Sequence, residues 1–399
     1  MLAAMAWRNV WRNARRSLIT MTALGIGVGG LVGLYSYREV ANEAIIGDIT
    51  RGLMGHLQVH ALGYQEAPSI SLVVQDPQLV EAAVQGKIPG AKAERRVLGA
   101  GLAGSGEHSA PVMVLGVQPG ATALYTLVSG ADLGAPRQVL IGKDLATDLK
   151  VGLGGELVLV SQAADGSVAN DRYTVAGTFV SSSGEMDSNA VAMRLEDAQG
   201  FFGLGDAVHQ VVVRLPVDRE DVMPEVHALR SALDVKTLEA LAWSEMLPEI
   251  KDSIDRKRKS QAVMDFIVFL IVGLGVFNAM SMSVFERTRE FGVLAALGTR
   301  PRRLLTMVVL ESLWQGLLAF VVGVGLAAAV LYGIGSVDLG SQFGGDVMGV
   351  KLPSHLTLAL DPASLRGAFL TAFFTAIAGA VFPALRAMRL QPVDALRHT

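Results

Sequence analysis

Apolar positions gather into four long runs, and between the first two lies a stretch of ordinary soluble composition. About 20 residues at 1.5 Å each cover a hydrocarbon core of ~30 Å, and windows of that length select residues 18–37, 261–285, 304–334 and 364–386 as transmembrane spans. From 38 to 260 the pattern breaks into short apolar segments bounded by Gly or polar turns. Residues 112–117, 138–142, 156–160, 173–180, 190–193 and 210–215 predict strands, and 76–85, 144–149, 196–202 and 219–233 predict helices. Two subdomains are expected, one from the flanks near both membrane junctions and one inserted around 120–205. The fold class is an α-helical membrane protein with four transmembrane helices and a mixed α/β extracytoplasmic domain inserted between the first and second spans.

The ends of the runs carry their own patterns. After the second span, Glu286, Arg287, Arg289 and Glu290 crowd one turn, and Phe291, Leu294 and Leu297 then recur at helical spacing on one side. Helices that rest on lipid are rich in bases, whereas two acids and two bases favour a rigid peg held against a soluble partner. The plainer alternative is a solvated loop between two spans. Gly298 is placed to stop this helix and Pro301 to start the next. Ahead of the first span, Trp7, Trp11 and Leu18 share one helical side, with Arg8, Arg12, Arg15 and Arg16 beside them. Residues 1–17 therefore predict an amphipathic helix along the membrane surface, with Trp at headgroup depth and Arg facing lipid phosphates.

Composition supports the membrane class: 51% of residues are apolar, only 18% are charged and the mean hydropathy is +0.42. The N-terminal arginines, the basic turn 286–303 and the tail 387–399 put these three on the cytoplasmic side by the positive-inside rule, leaving 38–260 and the loop 335–363 outside. The apolar run continues past residue 30 without a small-x-small cleavage site, which favours an uncleaved anchor over a signal peptide. Arg256 to Lys259 at the outer mouth of the second span oppose this topology. They close a long translocated domain, which gives them little weight, and residues 245–260 read as a helical stalk. Gly25, Gly27, Gly29, Gly30 and Gly33 in the first span, Gly273 and Gly275 in the second, and Gly316, Gly323, Gly325 and Ala327 to Ala329 in the third predict that several of these faces pack closely against helices in lipid. Asp265 and Glu311 are ionisable residues near or inside spans; the readings are a functional site and, because both lie within about two turns of a span end, snorkelling or pairing. Phe266, Phe269 and Leu270 are candidates for handling lipid acyl chains, against the plainer role of packing.

Catalytic signatures are missing. The sequence contains no G-x-x-x-x-G-K-[ST] and no H-E-x-x-H, and with no cysteine it has neither disulfides nor thiol chemistry. His56, His60 and His108 would need to be brought together to hold a metal. The net charge of −3 says little about partners, and no long basic tract suggests nucleic acid. Site expectations are therefore no catalytic, cofactor or metal residues on this chain.

The stretch Val284 to Gly298, Val-Phe-Glu-Arg-Thr-Arg-Glu-Phe-Gly-Val-Leu-Ala-Ala-Leu-Gly, closely resembles the signature of the FtsX-like permeases of ABC transporters, a family that includes the lipoprotein-releasing (Lol) and macrolide-exporter permeases. Trp7 to Leu18 is similar to the family's N-terminal amphipathic helix, and 383–387 with 391–397 to its closing tail. The resemblance implies that the helix after the second span docks on a separate ABC ATPase, which holds the ATP and Mg. It implies a dimer of ATPases beneath two permeases, the same or paralogous, with motion passed to the external domain. On this basis Glu286, Arg287, Arg289, Glu290, Phe291, Leu294, Leu297 and Gly298 become ATPase-facing. Residues 139–146 with 153–157 resemble Lol and macrolide-type domains alike, and 176–179 with the following 181–189 look Lol-like. Lipoprotein release from the inner membrane is the expected function, with macrolide- or peptide-type efflux and non-transporting signalling to periplasmic proteins as alternatives. Residues 161–172 are short and lack Pro where one Lol subunit carries a hook for its periplasmic lipoprotein chaperone, a departure that counts against chaperone binding.

Overall fold

A computed structural model describes residues 2–12, 14–118, 124–181, 184–217, 219–334 and 360–388, with the pairs 336–337, 346–347, 350–351 and 356–357. In chain order the elements are α1 (Leu2–Arg12), α2 (Ala14–Arg51), β1 (Leu57–Ala61), α3 (Pro77–Lys87), β2 (Lys92–Ser105), β3 (His108–Val117), β4 (Thr126–Gly130) and β5 (Gln138–Gly142). Next come α4 (Lys143–Asp148), β6 (Glu156–Gln162), β7 (Val168–Val180), α5 (Gly184–Asn189), β8 (Ala190–Arg194), α6 (Leu195–Phe202) and β9 (Gln210–Arg214). The chain ends with α7 (Met223–Arg230), β10 (Leu238–Ala242), α8 (Trp243–Met246), α9 (Pro248–Glu286), α10 (Thr288–Ala296), α11 (Pro301–Ile334) and α12 (Pro362–Met388). These elements fall into two compact units, one of Met1–Asn42, Ser253–Val337 and His355–Thr399, the other of Glu43–Asp252 and Asp338–Ser354.

The first unit is helical. Ser17–Glu43, Pro248–Glu286, Pro301–Gly333 and Ser364–Met388 are long and apolar enough to cross a membrane, and of the four Pro248–Glu286 is the least buried within the chain. Small residues set the helix spacing. A Cβ on Gly323 of α11 would lie 2.7 Å from the Gly25 carbonyl oxygen of α2, and one on Gly29 would lie 2.9 Å from the Gly323 carbonyl oxygen. These backbones touch, which glycine alone allows. Val276, Met280, Val284, Phe291, Leu304, Met307, Ala380 and Ala384 form a buried cluster that joins α9, α10, α11 and α12. Asp265, flagged as ionisable in the sequence, accepts two hydrogen bonds from Arg38 at 3.1 Å, which removes the cost of an unpaired carboxylate. Most of the loop 335–363 and the tail beyond Met388, including the motif at 391–397, lie outside the described residues.

The second unit is built on a ten-stranded sheet of order β10-β1-β9-β2-β3-β8-β5-β7-β4, with β6 bridging β2 and β7. The sheet differs from the expectation of two subdomains. Lys92 to Arg96 of β2 pair with β9, and Arg96 to Ser105 pair with β3, so a single long strand belongs to both halves and fuses them. Among the described residues, four strands of this sheet lie where none was predicted: β1, β2, β4 and β10. The helix expected over 219–233 is shorter, starting at Met223 after Asp221 accepts the Met223 amide. The helix expected from 245 starts at Pro248, since Leu247 breaks it from α8.

Candidate functional site

The chain turns sharply between α9 and α11, and α10 occupies the turn. Thr288 closes α9 by donating its hydroxyl to the Phe285 carbonyl at 2.8 Å. Gly298, at φ +85°, ends α10 in the left-handed region that glycine tolerates, and Pro301 opens α11 with a φ suited to a first turn.

Three side chains hold α10 from inside. Phe291 is 1% exposed, in the cluster with Val284, Leu304 and Ala384. Arg287, the N-cap residue, donates to Glu311 of α11 at 2.8 Å and to Glu290 at 3.0 Å, and its guanidinium sits 5.2 Å from the Phe291 ring. Glu311 is itself buried and also accepts from Ser283 at 3.4 Å. Arg12 of α1 completes the chain of charges by pairing with the other oxygen of Glu290. Partial burial opposes ionisation of Glu290, but hydrogen bonds from Arg12 and Arg287 outweigh it and hold the carboxyl below its usual range.

The two ion pairs differ in strength. Arg12 is exposed and Glu290 only half-buried, so their pair contributes about 0–1 kcal/mol. Arg287 and Glu311 are largely out of solvent, and removing one partner of such a pair costs about 3–5 kcal/mol because the other charge is stranded. Glu311 is therefore the principal polar anchor of α10.

Of the residues expected to face a partner, Glu286, Arg289, Leu297 and Gly298 are exposed, with Val293 beside them. Arg287 and Phe291 are turned inward, and Leu294 and Glu290 are half-buried. Leu297 leaves the predicted Phe291–Leu294 stripe because α10 ends at Ala296, and as the C-cap residue it is 79% exposed.

The N-terminal helix likewise departs from expectation. The predicted stripe of Trp7, Trp11 and Leu18 is split between α1 and α2. Trp7 packs edge-on against Trp11 at 5.8 Å and against Trp314 of α11 at 5.0 Å, so this ring is engaged by protein. Arg12 faces Glu290 where lipid phosphate was expected, while Arg8 and Arg15 are exposed and Arg16 lies in the first turn of α2. On α9, Phe266 and Leu270 sit one turn apart on an exposed face, with Phe269 half-buried. His56 and His60 are occupied within the sheet: His56 Nδ1 accepts the Leu215 amide at 3.2 Å, and His60 Nε2 meets Gln58 Oε1 at 2.6 Å. Ser283 and Trp314 carried no sequence signal of their own; a glutamate in an apolar span calls for a cation, but Arg300, Arg302 and Arg303 lie nearer to Glu311 in the chain than Arg287 does.

Comparison with known proteins identifies the architecture. The FtsX-like permease C-terminal family matches residues 262–392, and the MacB-like periplasmic core domain matches residues 17–229, more than half of the chain. The lipoprotein-releasing system transmembrane protein LolC of Xylella fastidiosa is 24% identical over 421 residues, covering 97% of this chain and 95% of that protein. The pyoverdine export ATP-binding/permease protein PvdT of Pseudomonas fluorescens Pf-5 is 23% identical over 423 residues, covering 98% of this chain. The macrolide export ATP-binding/permease protein MacB of Hyphomonas neptunium is 38% identical over 130 residues, 33% of this chain. The chain spans 58% of the length of that PvdT, and the MacB match covers 18% of its protein. With its spanning helices and mixed α/β domain, the chain belongs to the FtsX-like permeases that carry a MacB-like periplasmic core domain.

Proposed function

We propose that this chain is the permease subunit of an ABC transporter in a bacterial inner membrane, acting in lipoprotein release. Its termini and α10 face the cytoplasm, and its α/β domain faces the periplasm. An ABC ATPase dimer, which carries ATP and Mg, docks against the exposed side of α10, where Glu286, Arg289, Val293 and Leu297 are presented. Two permeases sit over that dimer, and motion at α10 passes into the spans through Arg287, Glu311 and Phe291.

The single observation behind the coupling role is the two-sided construction of α10: one face fixed to the bundle by a buried ion pair and a buried ring, the other exposed and carrying both charge and an apolar tip. A helix that is firmly held yet presents an exposed Leu is suited to passing force between bodies. Lipoprotein release is favoured by the near end-to-end correspondence with a lipoprotein-releasing relative. Export of a small molecule or peptide is the second reading, favoured by relatives named for pyoverdine and macrolide export.

Native mass spectrometry of the detergent-purified complex tests this reading. The expected masses are a permease pair, an ATPase pair and a lipidated protein. A small-molecule passenger in place of the lipidated protein would select the second reading, and a stable monomer lacking any ATPase would refute both.

A further inference from the structure

The surface shared by α11 and α12 carries an apolar trough with a cavity volume of about 260 Å³. Its floor lies where the two helices come closest. A Cβ on Gly316 would approach the Ala376 Cβ to 2.9 Å, and the Ser312 hydroxyl donates to the Ala376 carbonyl at 2.6 Å. The walls are bulky. Phe320 stands edge-on to Phe369 at 5.4 Å, and Phe373 follows at 6.1 Å, with Leu317 at the rim. One end meets α1, whose Ala3 lines the trough and whose Trp7 packs on Trp314, another lining residue.

Both helices are long and apolar enough to cross a membrane, so a trough on their surface opens to hydrocarbon. Lining atoms that face a gap lose dispersion contacts, and this gap exceeds the roughly 150 Å³ apolar cavity that admits benzene. Arg8 is exposed on α1, next in sequence to Trp7, and Arg15 is exposed at the start of α2, whereas the guanidinium of Arg12 is engaged by Glu290. A molecule with an apolar tail and an anionic head fits that distribution, since basic residues at the mouth of a groove between spanning helices recognise anionic headgroups.

We propose that the trough between α11 and α12 holds an acyl chain of an anionic phospholipid from the leaflet on which α1 lies, with Arg8 and Arg15 serving its phosphate. The site is separate from the exposed face of α10 and does not depend on which passenger the protein handles.

The test uses the full chain in nanodiscs of equal parts phosphatidylglycerol and phosphatidylcholine. Native mass spectrometry after detergent release is expected to find one phosphatidylglycerol per chain, held about tenfold over phosphatidylcholine. Leu317→Trp fills the trough from its lipid side and should abolish retention. Arg8→Glu with Arg15→Glu should remove the preference between the two lipids. A second measurement needs no trough variant: with Trp7, Trp11 and Trp243 replaced by Phe, phosphatidylglycerol brominated in its acyl chain should quench Trp314 more strongly than brominated phosphatidylcholine. Equal retention or equal quenching by the two lipids would overturn the proposal. So would undiminished retention by Leu317→Trp, or disulfide formation between cysteines placed at position 317 of two chains, which would give the trough to a second copy.

Discussion

Arg287→Met keeps most of the side-chain length and removes the cation that Glu311 needs. Glu311 is then left buried at 3% exposure with only the 3.4 Å contact to Ser283, a situation that costs about 3–5 kcal/mol. The loss falls on α10, because Arg287 caps it and Phe291 has only apolar packing to resist. At 1.4 kcal/mol per tenfold change, the amides of α10 should open on the order of a hundred to a few thousand times more often. Adding Glu311→Gln to Arg287→Met removes the stranded charge and should recover most of this. Hydrogen exchange read by mass spectrometry on the full chain in detergent would report the segment 288–296 separately from β1. Exchange of α10 within threefold of the parent in Arg287→Met would refute the anchor, as would a double variant no better than the single.

Further outcomes follow from the same structure. Arg289→Glu with Leu297→Asp, both on the exposed side of α10, should lower recovery of the ATPase with the purified permease by more than tenfold while α10 exchange stays unchanged; undiminished recovery would place docking elsewhere. Gly323→Val drives a side chain into the Gly25 carbonyl and should cost at least about 1–3 kcal/mol, seen as a lower thermal midpoint in detergent; an unchanged midpoint would contradict the close approach. Burial pushes the His60 imidazole down to about 4, so the folded domain holds it neutral while the unfolded chain protonates near 6.5. Stability from this group is complete above pH 6.5 and falls by about 3 kcal/mol as the pH drops to 4. Opening free energies at β1 should show that slope in the parent and lose it in His60→Gln; an equal slope in both would remove His60 as its source.

The spanning helices were legible because hydropathy over 20 residues is a coarse and redundant signal. Six strands were legible because their Val, Ile and Leu runs end at clear turns. The four missed strands each disguise themselves physically. In β1, Gln58 and His60 look solvent-facing but are buried in the sheet and joined by a 2.6 Å hydrogen bond. In β2, charged Arg95 and Arg96 precede Gly99 and Gly101, yet Arg96 is 1% exposed with Glu94 as its partner, and a Cβ on Gly99 would strike the Phe202 ring. β4 is short and exposed, and β10, Leu-Glu-Ala-Leu-Ala, has the composition of a helix and becomes a strand only through pairing with β1. At the α10 turn, periodicity found the helix but not the partition of its side chains. Whether Arg287 faces out or in depends on a glutamate 24 positions away, and no local pattern encodes that.

β1 pairs on one side with β9 and on the other with β10, so the earliest strand of the α/β domain is completed only by the latest two. During biosynthesis that strand must wait, unmatched, until almost the entire domain has been made. Slow synthesis or a premature stop would leave exposed a sticky ribbon open to mispairing, and maturation time should track the length of chain still to come rather than the strength of any single contact.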